Sequence, residues 1–222
     1  MMTMTVVTVE AKHTFSANCY LAASSTGHCA VIDPGAEGEG IIAVLEDRGW
    51  TPGMILLTHG HFDHIGAVRT LQARYPGLQV YLHKNDLPFV TGDPNVLTPG
   101  MLLSAQRSGR SREDFLLSVD HFLTEGQTIA LDDLTFTVIE TPGHTPGSVC
   151  FACGDCMFTG DTLFHHDVGR TDLYGGDAGA LYQSIQKLSR LSRSYRIYPG
   201  HEEPSTFAEE QEFFKAFLEH RV

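Results

Sequence analysis

Residues 58–64 read THGHFDH, three histidines and an aspartate in seven positions, directly behind the apolar run MILL (54–57) and ahead of IGAVRTL (65–71). A short apolar run that ends in such a cluster reads as a buried strand opening into a loop. Imidazole and carboxylate side chains gathered at one strand end are the donors that zinc, iron or manganese takes.

Working outward from this stretch, three later apolar runs end in the same way. ETPGHTPG (140–147) supplies His144, FTGDTLF (158–164) supplies Asp161, and YPGHEEP (198–204) supplies His201. Strand ends gather at one edge of a sheet, so loops far apart in sequence can share a site. Seven such side chains suffice for two divalent metal ions: His59, His61 and His144 on one, Asp63, His64 and His201 on the other, and Asp161 between them. Two metals held roughly 3.5 to 4 Å apart leave room for a bridging hydroxide nucleophile and polarise a substrate carbonyl. Asp63 is then both a ligand and a candidate proton acceptor. The remaining histidines, His13, His28, His83, His121, His165, His166 and His220, read as ordinary polar residues.

The rest of the chain supplies a scaffold for these loops. MTVVTVE (4–10), NCYLAAS (18–24), HCAVID (28–33) and QVYLH (79–83) read as strands. Ile41, Ile42 and Leu45 mark a helix, and Ala67, Val68 and Leu71 mark a second within 65–77. QTIAL, LTFTVIE, SVCFAC, CMFTGD and SYRIYPGH resume the strands. Leu181, Ile185 and Leu188 then mark a helix. A last helix carries Phe207, Phe214, Phe217 and Leu218 and is opened by the capping-box spacing of Thr206 and Glu209. Strands followed by helices in both halves suggest two packed sheets with helices outside, in one domain spanning 1–222. Residues 84–118, rich in Pro and Gly and carrying Arg107, Arg110 and Arg112, read as a lid-like insertion.

Composition narrows the partners. Against 27 Asp and Glu stand 15 Lys and Arg, a formal net charge of -12, which repels nucleic acid and anionic membranes. No segment approaches the roughly 18 apolar residues of a membrane span, and the N-terminus lacks an export signal, so a cytoplasmic location is expected. Cys150, Cys153 and Cys156 flank Gly154-Asp155, which reads as a hairpin turn facing Cys153 to Cys156 rather than as a metal knuckle. Oligomeric state leaves no mark in the sequence.

The motifs THGHFDH, PGHTPG, TGD and PGHEE together resemble those of the metallo-β-lactamase fold hydrolases, from about residue 5 to residue 205. The resemblance implies an αββα sandwich, an α/β (α+β) arrangement of two mixed sheets with the metals at one edge. GDTLFHHDVGRTDLYGGD (160–177) is similar to the short bacterial glyoxalase II-like branch, whose substrates are small thioesters such as hydroxyacylglutathione. Two divalent ions, zinc first and iron or manganese as alternatives, are implied. Likeness to the sulfur dioxygenase branch implies that Arg170 receives a substrate carboxylate, while the residues themselves favour Arg170 pairing with Asp172, a ready partner two positions away. Two other activities within the fold stay open: a persulfide dioxygenase with one iron on His59, His144 and Asp161, and a lactone hydrolase.

Overall fold

In a computed structural model, residues 4–9, 17–35, 38–96, 103 and 111–219 are described. His13, His220, Arg107 and Arg110 lie outside them.

The first half builds one six-stranded sheet from β1 (Thr5–Val9), β2 (Cys19–Ala23), β3 (His28–Ile32), β4 (Thr51–Leu56), β5 (Gln79–His83) and β6 (His121–Leu123), paired in that order. Its helices are α1 (Gly38–Arg48), α2 (Phe62–Ile65), α3 (Val68–Arg74) and α4 (Leu87–Val90). The second half builds another six-stranded sheet from β7 (Thr128–Leu131), β8 (Leu134–Glu140), β9 (Val149–Cys153), β10 (Cys156–Gly160), β11 (Arg196–Pro199) and β12 (Ser205–Thr206). Its helices are α5 (Ala178–Ser189) and α6 (Gln211–Glu219).

Side-chain alternation stacks these elements in four layers. On β2, Leu21 points to a core shared with Ile41, Leu45, Val68 and Leu71 of the helices, whereas Tyr20 and Ala22 point to a core between the sheets. Phe136, Phe151 and Phe158 meet them there from the second sheet. On β9, Cys150 and Ala152 face the opposite way, onto Leu181, Ile185 and Leu188 of α5. Strands such as β2 and β9 are buried on both faces, which explains their uninterrupted apolar sequences. The result is the αββα order.

The hairpin expected at Gly154-Asp155 is present: Cys153 and Cys156 are register partners and Gly154 takes the left-handed φ of +60°. The helix expected within 65–77 is α3, with Val68 and Leu71 buried, and the shorter α2 precedes it over the second half of the histidine cluster. The last helix starts at Gln211, later than expected. Only half of the expected capping box forms, Glu209 N–H donating to Thr206 Oγ1 at 3.3 Å, while the Thr206 hydroxyl donates to Glu209 Oε2 at 2.9 Å, and these bonds close the turn before α6. Of the segment 84–118, residues 97–102 and 104–110 lie outside the described ones. Its flanks supply Phe89, Val90, Val96, Phe115 and Leu117 to the first core.

Strand direction positions the loops. β3, β4 and β5 run parallel, so Asp33, the 58–64 stretch and Asp86 follow their ends on one side. β10 and β11 run parallel, and β8, antiparallel to β9 as β9 is to β10, shares their direction. His144, Asp161 and His201 therefore emerge together. The two sheets are tied at this edge by Val149 N–H donating to Thr58 O at 2.9 Å and by Tyr20 Oη donating to Pro199 O at 2.6 Å.

Candidate metal centre

The loop after β4 runs straight into α2, so His59 and His61 leave the strand end while Asp63 and His64 sit on the first turns of a helix. The candidate ligands themselves leave no space for a larger residue at Gly200, where a Cβ would stand 2.7 Å from His64 Cε1 and nearer still to Asp161 Oδ1.

All seven side chains expected to form a centre come together. His59, His61 and His144 form one group, and Asp63, His64 and His201 another, each with ligand atoms within 4.8 Å of one another. Within the first, His61 Nδ1 lies 3.1 Å from His59 Nε2 and 2.8 Å from His144 Nε2. In the second, His201 Nε2 lies 3.3 Å from Asp63 Oδ2. Asp161 spans both: its Oδ2 is 3.4 Å from His144 Nε2 and 3.5 Å from His201 Nε2, and its Oδ1 is 3.2 Å from His64 Nε2. Two donors bound to one ion at about 2.0 to 2.1 Å in a tetrahedron are separated by roughly 3.3 Å, so these distances match the edges of coordination polyhedra.

Electrostatics point the same way. Burial pushes His59 well below the usual imidazole range, and His61 down to about 3, the state in which the ring nitrogen can bind a cation. His64 is buried too, but the carboxylates of Asp161, Asp33 and Asp63 more than offset this and hold it up. His201 is likewise raised, to about 9, by Asp161 and Asp63 against the effect of burial. Two carboxylates thus keep positive charge at the place where a cation would stand. His64 Nε2 and Asp161 Oδ1, 3.2 Å apart and buried, find no hydrogen-bond partner among the described residues. Buried polar atoms without partners are uncommon, and a divalent ion between them would satisfy both. The donor set therefore fits the two metals.

Groups behind these side chains orient them. Asp33 accepts hydrogen bonds from Thr58 N–H at 2.8 Å and Thr58 Oγ1 at 2.6 Å, and lies 2.9 Å from His64 Nδ1. His144 Nδ1 donates to the Arg170 carbonyl at 2.7 Å. Asp86 is fully buried and joins two of the loops, accepting from Gly60 N–H at 2.9 Å, Thr145 Oγ1 at 2.7 Å and Gly147 N–H at 2.7 Å. Neither Asp33 nor Asp86 is singled out by sequence reasoning. Their signal was an aspartate at a strand end, in VIDPG and HKND, which without a known partner is too common to interpret.

The Arg170 guanidinium is exposed and gives two 2.7 Å bonds to Asp172. The rim is apolar. Phe62 and Tyr174 are 40% and 43% exposed, and Tyr174 stacks edge-on against Phe89, which packs in the same way on His61.

Among known proteins, the description "Metallo-beta-lactamase superfamily" matches residues 14–201. The hydroxyacylglutathione hydrolase GloC of Haemophilus influenzae is 34% identical over 200 residues, which cover 89% of this chain and 91% of that protein. The probable metallo-hydrolase YqgX of Bacillus subtilis is 35% identical, with 83% and 84% covered. Among solved structures, TTHA1623 in a di-iron-bound form superposes with a TM-score of 0.75 at 38% identity, covering 93% of this chain and 96% of that one. The BLEG-1 B3 metallo-beta-lactamase superposes with a TM-score of 0.80 at 31% identity, covering 94% and 97%.

Proposed function

This chain belongs to the metallo-beta-lactamase superfamily of hydrolases, and from that premise we propose that it cleaves a small thioester of the hydroxyacylglutathione type with two divalent metal ions, zinc first. The observation that carries the reading is the Asp161 carboxylate, within 3.5 Å of a nitrogen from each of two complete donor groups. A one-iron persulfide dioxygenase using His59, His144 and Asp161 has no need of the second group, whose Asp63, His64 and His201 are nevertheless assembled.

His59, His61 and His144 would hold one ion and Asp63, His64 and His201 the other, with the Asp161 carboxylate within reach of both groups. When bound, such a pair supplies an ionised water near neutral pH and positive charge for the oxyanion of the attacked carbonyl. The protein's own contribution is positional. Asp33 and the Arg170 carbonyl hold His64 and His144 in the tautomer that turns Nε2 inward. Asp63, on the more open side with His201, accepts the proton that the nucleophile gives up. Phe62, Tyr174 and Phe89 cover the apolar part of an acyl group and keep bulk water from the reacting carbonyl. A thiolate leaves without a strong acid, and no general acid is assigned. For Arg170 to receive a substrate carboxylate, it must exchange Asp172 for it.

The test is the loss of thioester absorbance with S-lactoylglutathione, on protein of known metal content. The expected result is cleavage abolished by chelation and restored by zinc, iron or manganese. Oxygen uptake with glutathione persulfide by a one-iron protein, or hydrolysis confined to a β-lactam or a lactone, would overturn the thioester reading.

A further inference from the structure

Outside this centre, His165, His166 and Glu210 also bring one ligand atom each to within 4.8 Å of one another. The sequence offers the two histidines as ordinary polar residues, but among the described residues each has a hydrogen-bond partner at a single ring nitrogen. His165 Nδ1 lies 2.8 Å from Glu203 Oε1, and His166 Nε2 lies 3.3 Å from the Glu209 carbonyl. Glu210 is fully buried; its Oε2 accepts the His166 backbone N–H at 3.0 Å, while its Oε1 has no hydrogen-bond partner among the described residues. A buried carboxylate oxygen left without a hydrogen bond is costly and calls for a positive group.

We propose that His165, His166 and Glu210 bind a further divalent transition ion of the zinc class, separate from the two-metal centre. Two imidazoles and a carboxylate are zinc-type donors and ill-suited to magnesium or calcium, which prefer oxygen alone. Donors bound at about 2.0 to 2.2 Å stand roughly 3.3 Å apart, inside the 4.8 Å that bounds these three, and the two histidine rings can turn to close on the ion. The Glu203 carboxylate on His165 Nδ1 is the outer partner that fixes a ligating histidine, leaving Nε2 for the ion. The ion ties the loop that starts at Asp161 to the residue preceding α6, and so steadies the backbone that carries the Arg170 carbonyl behind His144.

The test counts metal in the full chain. Metal-stripped protein equilibrated with excess zinc should take up about one equivalent more than the His165→Gln, His166→Asn double variant, with magnesium giving no difference. Asparagine is chosen because His166 has a φ of +59°, which it tolerates. Equal uptake by a folded variant and the parent overturns the proposal. If the variant does not fold, the parent protein alone decides: diethylpyrocarbonate modification of His165 and His166, read by peptide mass spectrometry, should fall roughly tenfold at free zinc ten times the dissociation constant. Modification that zinc leaves unchanged overturns the proposal equally.

Discussion

Asp33 Oδ2 lies 2.9 Å from His64 Nδ1, with both side chains essentially sealed from solvent. Because the carboxylate can only accept, the shared proton sits on Nδ1 and Nε2 is left to face Asp161. Asp33 has a φ of +49° and so occupies a backbone conformation that asparagine also tolerates. Asp33→Asn is therefore expected to fold, yet to weaken metal retention by roughly 10- to 100-fold, since the support of His64 is lost. Competition with a chelator measures it, and retention equal to the parent's refutes the role.

Asp161→Asn removes the carboxylate shared by the two donor groups. Metal content is expected to fall, and thioester cleavage to drop by more than the roughly 10- to 100-fold typical of outer residues. The cores between the layers are untouched, so circular dichroism should keep its native form. Full cleavage by a metal-depleted Asp161→Asn protein would falsify the proposed centre.

Asp86 gives a pH-dependent signature. Burial pushes its carboxyl up to about 6, with the bonds from Thr145, Gly60 and Gly147 pulling back. The folded value lies above the unfolded one, so the folded state binds this proton more tightly. The associated stability is fully present below about pH 4 and is lost as pH rises through about 6, a change of order 3 kcal/mol. In Asp86→Asn one oxygen becomes a donor facing the N–H of Gly60 or Gly147, a pH-independent cost of about 1 to 3 kcal/mol, and the stability linked to the carboxyl proton is absent. Chemical unfolding of the two metal-stripped proteins should show their stability difference shrinking between pH 4 and pH 7. A difference that stays flat shows that the carboxyl is not shifted.

The exposed Arg170–Asp172 pair is screened by solvent and adds little to stability, so Arg170→Ala should leave the unfolding midpoint nearly unchanged. With both positions of its fork on Asp172, its loss is expected to change KM for a thioester by less than about threefold. A tenfold rise in KM at constant kcat, confined to substrates with a carboxylate, would instead assign the guanidinium to the substrate.

The residues of the centre were legible because each stands directly after an apolar strand, and the donor types name their chemistry. The four-layer order was legible too, since Leu21 and Tyr20, or Cys150 and Phe151, alternate between cores without polar interruption. The bracing was not. Asp86 makes its contacts 26 and 59 to 61 residues away along the chain, and no local spacing encodes such a pairing. The start of α6 was misplaced for a related reason: the Thr206–Glu209 exchange is the same locally whether a helix or only a turn follows it.

By itself the sequence determined which side chains can bind metal and which strand ends present them, because alternation and donor chemistry are local properties. Only the tertiary structure decided that β3, β4, β5, β8, β10 and β11 end at one edge, that Asp161 falls between two groups, and that Asp33 and Asp86 stand behind them. Strand direction is set by pairing across the sheets, and a buried carboxylate takes its role from whichever donors the packed backbone brings to it.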